Sequence, residues 1–587
     1  MSLIASFALS ATFSYSHHIA TTQPSASIAG RRVTAVSCEL KDEENHVIDR
    51  RNVLLGLGGL YGAAATLGGQ NKKAIGAPVH APELSKCHLA EDSVTGERVF
   101  CCLPYNERDI VEFVPPPPYE PMRVRRPAHK LDPEYVAKFE EAVARMKALP
   151  PNDPWNFMQQ ATIHCAYCNG AYDQVGFHPP VSLQVHGSWL FLPFHRLYLY
   201  FYERILGKLI GDPNFALPYW NWDSPEGMRM PKIYLNPSSP LYNPMRNKSH
   251  YAALFDYKYA VGDPNPEPSR EEHIITHNLH HLHRLFKESE RSPKLFMGKP
   301  VVAGEEVPSN ASGNLENLHN IVHSWTGTSE EPYYDMGDFF TAARDIVFFG
   351  HHANVDRLWD IYNGFRGHIP EFKQEDWFEA SFIFYDENRQ VVRCKVKDCL
   401  TPQQLRYSYH PENLPWLHAR QHYFRLKGKK PIAGEPAPLP VPAAPPIYEF
   451  GPEPKPLVEP IQVIVPRPKV SRTKFEKEAA TEILVIEGIE VPFGATARFD
   501  VYVAKFLDGH IGPDIGELAG SFVKIPHSKH KFHLLHHKSS LELGITSLLE
   551  DIEADPLDKV VVTILPRIGE VKIGGIHIEL VKVDPEY

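Results

Sequence analysis

Apolar and polar positions follow two different periods along the chain, and the change falls in a proline-dense stretch in its last third. Before that stretch, apolar residues recur at helical spacing. Asp132 followed by Pro133 predicts a capped helix start running on to residue 149, because proline suits the first helical turn and an aspartate accepts its orphan N–H groups. Residues 189–210 (WLFLPFHRLYLYFYERILGKLI) are apolar almost all round, which predicts a buried helix. Between Pro431 and Pro468, 13 of 38 residues are proline, so the segment reads as an extended spacer and a domain boundary. Beyond it, short runs at 482–487, 497–503, 521–525, 559–564 and 571–581 alternate like strands, with a turn signal at Gly574-Gly575. Regular short strands of this kind predict a small β-sandwich or barrel. The expected architecture is a mainly α domain followed by a small all-β domain.

Composition narrows the classes. At 587 residues the chain exceeds one ordinary core, so two folded domains are expected. A formal net charge of -10 argues against a nucleic-acid binder, which needs a basic surface. Residues 1–38 are rich in Ser and Thr, carry Arg31 and Arg32 and lack acidic residues, as plastid transit peptides do. Arg50-Arg51, the apolar run 53–67 and the small residues 74–77 then resemble a twin-arginine export signal. A run of 15 residues is short for a bilayer span, so no integral membrane segment is expected after processing. Residues 1–76 are read as a two-part address to the thylakoid lumen of the chloroplast.

The 31 histidines sort by their surroundings. His164, His186 and His195 form one group; His319, His323 and the doublet His351-His352 form another. His319 and His323 are four residues apart, so both rings leave one helix face. Three neutral imidazoles per ion suit copper as well as zinc. Two such triplets on paired helices would hold two ions in a helix-bundle core, and burying six imidazoles without a partner would be costly. Two other clusters, His273/His277/His280/His281/His283 and His527/His530/His533/His536/His537, are interleaved with charges and read as solvated. Of eight cysteines, Cys165 and Cys168 form a lone CxxC, a weak zinc signal. Asp356-Arg357 reads as a structural ion pair.

The segments HCAYCNGAY, LPYWNWD, VHSWTG and HHANVDRLW, with the buried helix above, together resemble the plant polyphenol oxidases (catechol oxidase/tyrosinase) of the type-3 copper family. The similarity extends to Asp376-Trp377, Tyr407-Ser408-Tyr409 and residues 498–501 (RFDV). The resemblance implies a four-helix-bundle dicopper core, with His164, His186 and His195 on one copper and His319, His323 and His352 on the other. It implies a thioether between Cys168 and His186, disulfides Cys87–Cys102 and Cys101–Cys165, and Phe339 as an aromatic gate above the second copper. Glu316 and Asn320 would together hold a water that deprotonates an incoming phenol. The chain departs from the family in lacking the proline of Glu-Asn-x-Pro-His: here Glu316-Asn317-Leu318-His319 is one residue shorter. Asp345-Ile346 likewise replaces the usual Asp-Pro.

The implied domains are the address at 1–76, the dicopper catalytic domain at 77–410, the proline-rich linker at 411–475 and a β-rich shielding domain at 476–587. The implied activity is oxidation of o-diphenols to o-quinones with reduction of O2 to water, latent until the C-terminal domain is displaced. Monophenol hydroxylation stays open. The competing readings are a reversible O2 carrier resembling haemocyanin and a specialised biosynthetic or non-catalytic homologue. The expected partners are o-diphenols and O2, with the C-terminal domain as an intramolecular cover.

Overall fold

The computed structural model describes residues 76–92, 95–104, 109–259, 271–308, 310–330, 333–368, 370–419, 447–492, 494–507, 510–511, 516–525 and 536–583, all within one unit, Ala74–Tyr587. The address read at 1–76 lies outside them but for its last residue. No helix among the described residues is long and apolar enough to cross a membrane.

Six helices frame the first domain: α1 (Pro133–Lys147), α2 (Phe157–Cys168), α3 (Phe191–Ile210), α4 (Glu271–Ser289), α5 (Asn314–Thr326) and α6 (Val347–Phe365). The capping reading holds, since Asp132 Oδ1 accepts the Tyr135 N–H at 2.8 Å. Asn156 caps α2 in the same way through Met158 N–H, also at 2.8 Å. α3 is the all-round apolar helix, and it stops at Gly211, whose φ of 69° closes the helix in the left-handed region. Helices α2, α3, α5 and α6 bring the buried histidines into one apolar core.

The charged residues inside α3 and α6 are buried as pairs, which is how a core tolerates them. Arg196 Nε lies 2.5 Å from Asp356, and Glu203 binds Arg123 and Arg125 at 2.8 Å each. The expected Asp356–Arg357 pair is corrected here. Successive helical residues point about 100° apart, so Arg357 turns to Asp223, at 3.0 Å, while Asp356 takes Arg196 and Arg125. The strand Tyr407–Tyr409 runs parallel to Arg123–Arg125, and both tyrosine hydroxyls donate to Asp356 at 2.5 Å.

The second domain is a sandwich of two antiparallel sheets rather than a closed barrel. In one sheet Ala497–Leu507 lies between Glu517–Lys524 and Lys559–Ile568, with Ile461–Pro466 at the edge. In the other, Ala480–Pro492 lies between His536–Gly544 and Gly575–Lys582. Alternate residues such as Phe499, Val501 and Val503 meet Leu484 and Ile486 in a separate core. Lys455–Pro456 and Ile461–Pro466 fall inside the stretch read as linker to residue 475. The alternation from Ile461 to Val465 is enough for an edge strand, where the flanking prolines are tolerated.

The two domains meet along a seam. Val523 is buried in the apolar core of the helical domain, and Arg498 donates to the carbonyls of Tyr257 and Tyr259. Arg284 of α4 pairs with Asp551 at 2.9 Å, and Glu288 accepts from Ser547 Oγ at 2.6 Å and Leu548 N–H at 2.8 Å. This contact overturns the reading of the His273/His277/His280/His281/His283 cluster as solvated. His280 is buried 3.5 Å from Glu517, His277 and His281 are half-buried, and His273 stays exposed. Burial holds His277 well below the ordinary range and His280 and His281 at about 4. The packing partner was more than 200 residues away in sequence, so local composition could not reveal it. The His527/His530/His533/His536/His537 cluster lies outside the described residues, apart from the backbone at 536–537.

Candidate metal centre

Four helices and one loop converge on the site. α2 presents His164 and, one turn later, Cys168; the loop before α3 carries His186; α3 carries His195. α5 presents His319 and His323 from one face, and α6 supplies His351 and His352. All but His186 are at most 2% exposed, and His186 is 6% exposed.

The hydrogen bonds fix which ring nitrogen holds the proton. A carbonyl can only accept, so each Nδ1 that faces one must be the N–H. His164 Nδ1 lies 2.9 Å from Phe339 O, His195 Nδ1 2.8 Å from Phe191 O, His319 Nδ1 3.2 Å from Glu316 O, and His323 Nδ1 2.7 Å from Met336 O. Their Nε2 lone pairs are therefore left facing inward. His352 Nε2 lies 3.2 Å from His319 Nε2 and 3.3 Å from His323 Nε2. The His319 and His323 lone pairs thus converge on His352 Nε2, which can meet them by donating a proton or by sharing a cation with them. The spacing suits nitrogens that each lie about 2.0 Å from one shared ion.

The rings stay neutral, as ligands must. Burial lowers His195 to about 3 and His323 to about 4. Burial first, and neighbouring imidazoles second, holds His164, His319 and His352 well below the ordinary histidine range. Carbonyl contacts of this type also orient the rings and raise their basicity toward a metal.

The first group is looser but contiguous. Ring centroids lie 5.2 Å apart for His164–His186, 5.1 Å for His186–His195 and 5.7 Å for His164–His195. His195 stacks on His352 at 4.2 Å, so the two groups share a wall. Cys168 Sγ lies within 4.8 Å of ligand atoms of His164 and His186. Cys165 is bonded to Cys101, which excludes the CxxC zinc reading, and Cys87–Cys102 forms the other expected disulfide. Cys394 and Cys399 are buried thiols.

A cavity of about 170 Å³ opens beside the histidines, lined by His186, Glu316, Asn320 and Phe339 from the first domain and by Phe522–Ile525 from the second. Phe339 stacks on His186 at 4.4 Å and stands 6.4 Å from His323, closer to the first group than its expected gate position. Despite the shortened loop, Glu316 lies in the first turn of α5, where its Oε1 accepts the Gly187 N–H at 2.8 Å. Burial raises Glu316 to about 8, opposed by that hydrogen bond. Asn320 Nδ2 donates to the Val523 carbonyl at 3.4 Å. Trp222 and Tyr407/Tyr409 stand in segments quoted from the sequence without a role: Trp222 donates to His351 Nδ1 at 3.1 Å, and the two tyrosines clamp Asp356 four residues after His352. The YSY alternation was the available signal for that clamp.

Comparison with known proteins agrees with this geometry. Residues 154–364 match the common central domain of tyrosinase, 371–422 the polyphenol oxidase middle domain, and 453–580 the chloroplastic polyphenol oxidase C-terminal domain. The chloroplastic polyphenol oxidase of Malus domestica is 44% identical over 571 residues, covering 95% of this chain and 94% of that protein. The chloroplastic (+)-larreatricin hydroxylase of Larrea tridentata is 41% identical, covering 98% of each chain. The structure of latent apple tyrosinase matches with a TM-score of 0.71 and 44% identity, over 81% of this chain and all of that one. The two histidine groups fit a type-3 dicopper site, and the chain belongs to the polyphenol oxidase family of tyrosinase-type copper oxidoreductases.

Proposed function

We propose that the chain oxidises o-diphenols to o-quinones, with His164, His186 and His195 holding one copper and His319, His323 and His352 the other. The observation that carries this reading is the approach of His352 Nε2 to His319 and His323 Nε2, at 3.2 and 3.3 Å, with the latter two rings tautomerically fixed by carbonyls. Copper in these triplets supplies the redox chemistry, passing electrons from two diphenols to one O2, which leaves as two waters. The protein's own share is positioning and proton management. Phe339, stacked on His186, offers an aromatic face to the phenol ring. Glu316 lines the cavity with its pKa raised to about 8, and with Asn320 it would hold the water that takes the phenol proton. A thioether from Cys168 Sγ to His186 would lock the one ligand that lies on a loop, with O2 as the oxidant for its formation.

The closed position of Phe522–Ile525 on the cavity supports a latent state that ends when the C-terminal domain is displaced. The twin-arginine signal, the paired cysteines and the chloroplastic names of the relatives support a thylakoid-lumen location. The test is copper-loaded full-length protein assayed with a diphenol and its matching monophenol, before and after cleavage between residues 431 and 446. Quinone formation that rises on cleavage is the expected result. An oxygenated absorption band without turnover would instead identify a carrier, and neither signal a non-catalytic homologue. An intact protein two hydrogen atoms heavier than the thioether form would rule out the Cys168–His186 bond.

A further inference from the structure

The cavity beside the histidines has a cationic rim that the oxidation of a simple diphenol does not use. Lys294, Lys299 and Lys524 line it. Lys299 is firmly placed: its N–H donates to Ala311 O at 2.7 Å, and its carbonyl accepts the Trp189 N–H at 3.1 Å, three residues from His186. Its ammonium is paired with the carboxylate of Glu542, which belongs to the C-terminal domain. Lys524 is 9% exposed, and its Nζ has no hydrogen-bond partner among the described residues. Burial lowers it to about 8, and no carboxylate pairs with it among the described residues. Glu306, Glu316 and Glu542 line the same cavity, but Glu542 leaves with the C-terminal domain whenever that domain moves.

We propose that Lys299 reads an anionic tail on the phenol, and that Glu542 occupies its ammonium as an intramolecular stand-in for that tail in the closed form. The preferred substrate class is then an o-diphenol bearing a carboxylate. This rests on the diphenol-oxidase reading above. The physical basis is the charge-assisted bond between an ammonium and a carboxylate, strengthened where the cavity wall excludes water. In the closed form, a substrate carboxylate meets Glu542 first and is repelled. Once Glu542 is neutral or displaced, the same carboxylate is attracted.

The test uses the full-length, copper-loaded chain and compares kcat/KM for 3,4-dihydroxycinnamate with that for its methyl ester. The ratio cancels any general opening of the seam, because both substrates profit equally from it. Glu542→Gln is expected to raise the acid-to-ester ratio about five-fold over wild type. Adding Lys299→Gln to that variant should return the ratio to the wild-type value, and adding Lys299→Arg instead should keep it raised. Calorimetric binding of cinnamate against cinnamamide to the copper-free variants should follow the same order. A ratio unchanged by Glu542→Gln, or one that survives Lys299→Gln, would overturn the proposal. Turnover of 4-methylcatechol, which has no tail, separates the two readings: its absence in wild type even after linker cleavage removes the diphenol oxidase and this proposal together, whereas its presence with a flat ratio removes only the role of Lys299.

Discussion

Trp222 donates its indole N–H to Nδ1 of His351 at 3.1 Å, and this one bond distinguishes the two histidines of the doublet. A neutral ring that accepts at Nδ1 carries its proton on Nε2, so His351 offers no lone pair inward. His352 differs: no donor among the described residues occupies its Nδ1, so its Nε2, which faces the Nε2 atoms of His319 and His323, is available as a ligand. Proximity alone groups all four rings, because their ligand atoms lie within 4.8 Å. The tautomers separate them. His352→Ala should lose about half the bound copper and all diphenol turnover, whereas His351→Ala should retain full copper. Metal analysis of the two purified variants decides; equal copper loss in both would refute the assignment.

The seam gives a second prediction. Arg284 is 4% exposed and holds Asp551, while Glu288 accepts from Ser547 and Leu548 beside it. Removing one partner of a buried pair typically costs about 3–5 kcal/mol. That cost falls on the closed arrangement of the domains rather than on the copper ligands. Arg284→Ala should therefore raise the activity of the uncut protein several-fold and shrink the further gain on linker cleavage. The ratio of activity after cleavage to activity before it is the measurement. A ratio equal to wild type would show that this part of the seam does not hold the latent state.

Much of the site was legible because its signals are local. The four-residue spacing of His319 and His323 is a helix-face pattern, and the apolar run around His195 marks burial. The partners that hold the rings were not legible, since most are backbone carbonyls whose identity any residue could supply: Phe339 O for His164, Met336 O for His323. The same limit explains α4. Its histidines read as solvated because their cover, around Glu517 and Arg498, comes from the other domain. Asp356 and Arg357 looked like a pair only while their helical directions were ignored. In the β-domain, strand Ile461–Pro466 was hidden by the proline density of the stretch read as linker.

Glu316 carries the third prediction. Its Oε1 anchors Gly187, next to the ligand His186, while Oε2 has no hydrogen-bond partner among the described residues. Glutamine preserves the acceptor but cannot take up a proton. Glu316→Gln should leave copper content and diphenol turnover within about two-fold of wild type. It should lower monophenol hydroxylation, where wild type shows it, by a factor in the range of about 10²–10⁴ expected for a general base. Glu316→Ala should additionally lose copper, because the loop holding His186 is released. If Glu316→Gln hydroxylates monophenol at the wild-type rate, the base lies elsewhere.

Asp356 carries the last prediction, which concerns stability. Burial pushes its carboxyl up, but Arg196 and Arg125 outweigh that and hold it below the ordinary carboxylate value, assisted by the Tyr407 and Tyr409 hydroxyls. The folded pKa is thus lower than the unfolded one, about 3.9. The stabilisation is fully present above that value and is lost as the pH falls through the lower folded pKa. Asp356→Asn keeps the shape and one acceptor but removes the negative charge that pairs with Arg196 and Arg125. It should cost about 3–5 kcal/mol at pH 7. All eight tryptophans lie between Trp155 and Trp416, so tryptophan fluorescence during denaturant unfolding reports on the helical domain alone. The gap between wild type and Asp356→Asn should be wide at pH 7 and should narrow steadily below about pH 4. A gap of constant width across that range would mean that the charge of Asp356 contributes nothing, and that only its hydrogen bonds hold strand Tyr407–Tyr409 against α6.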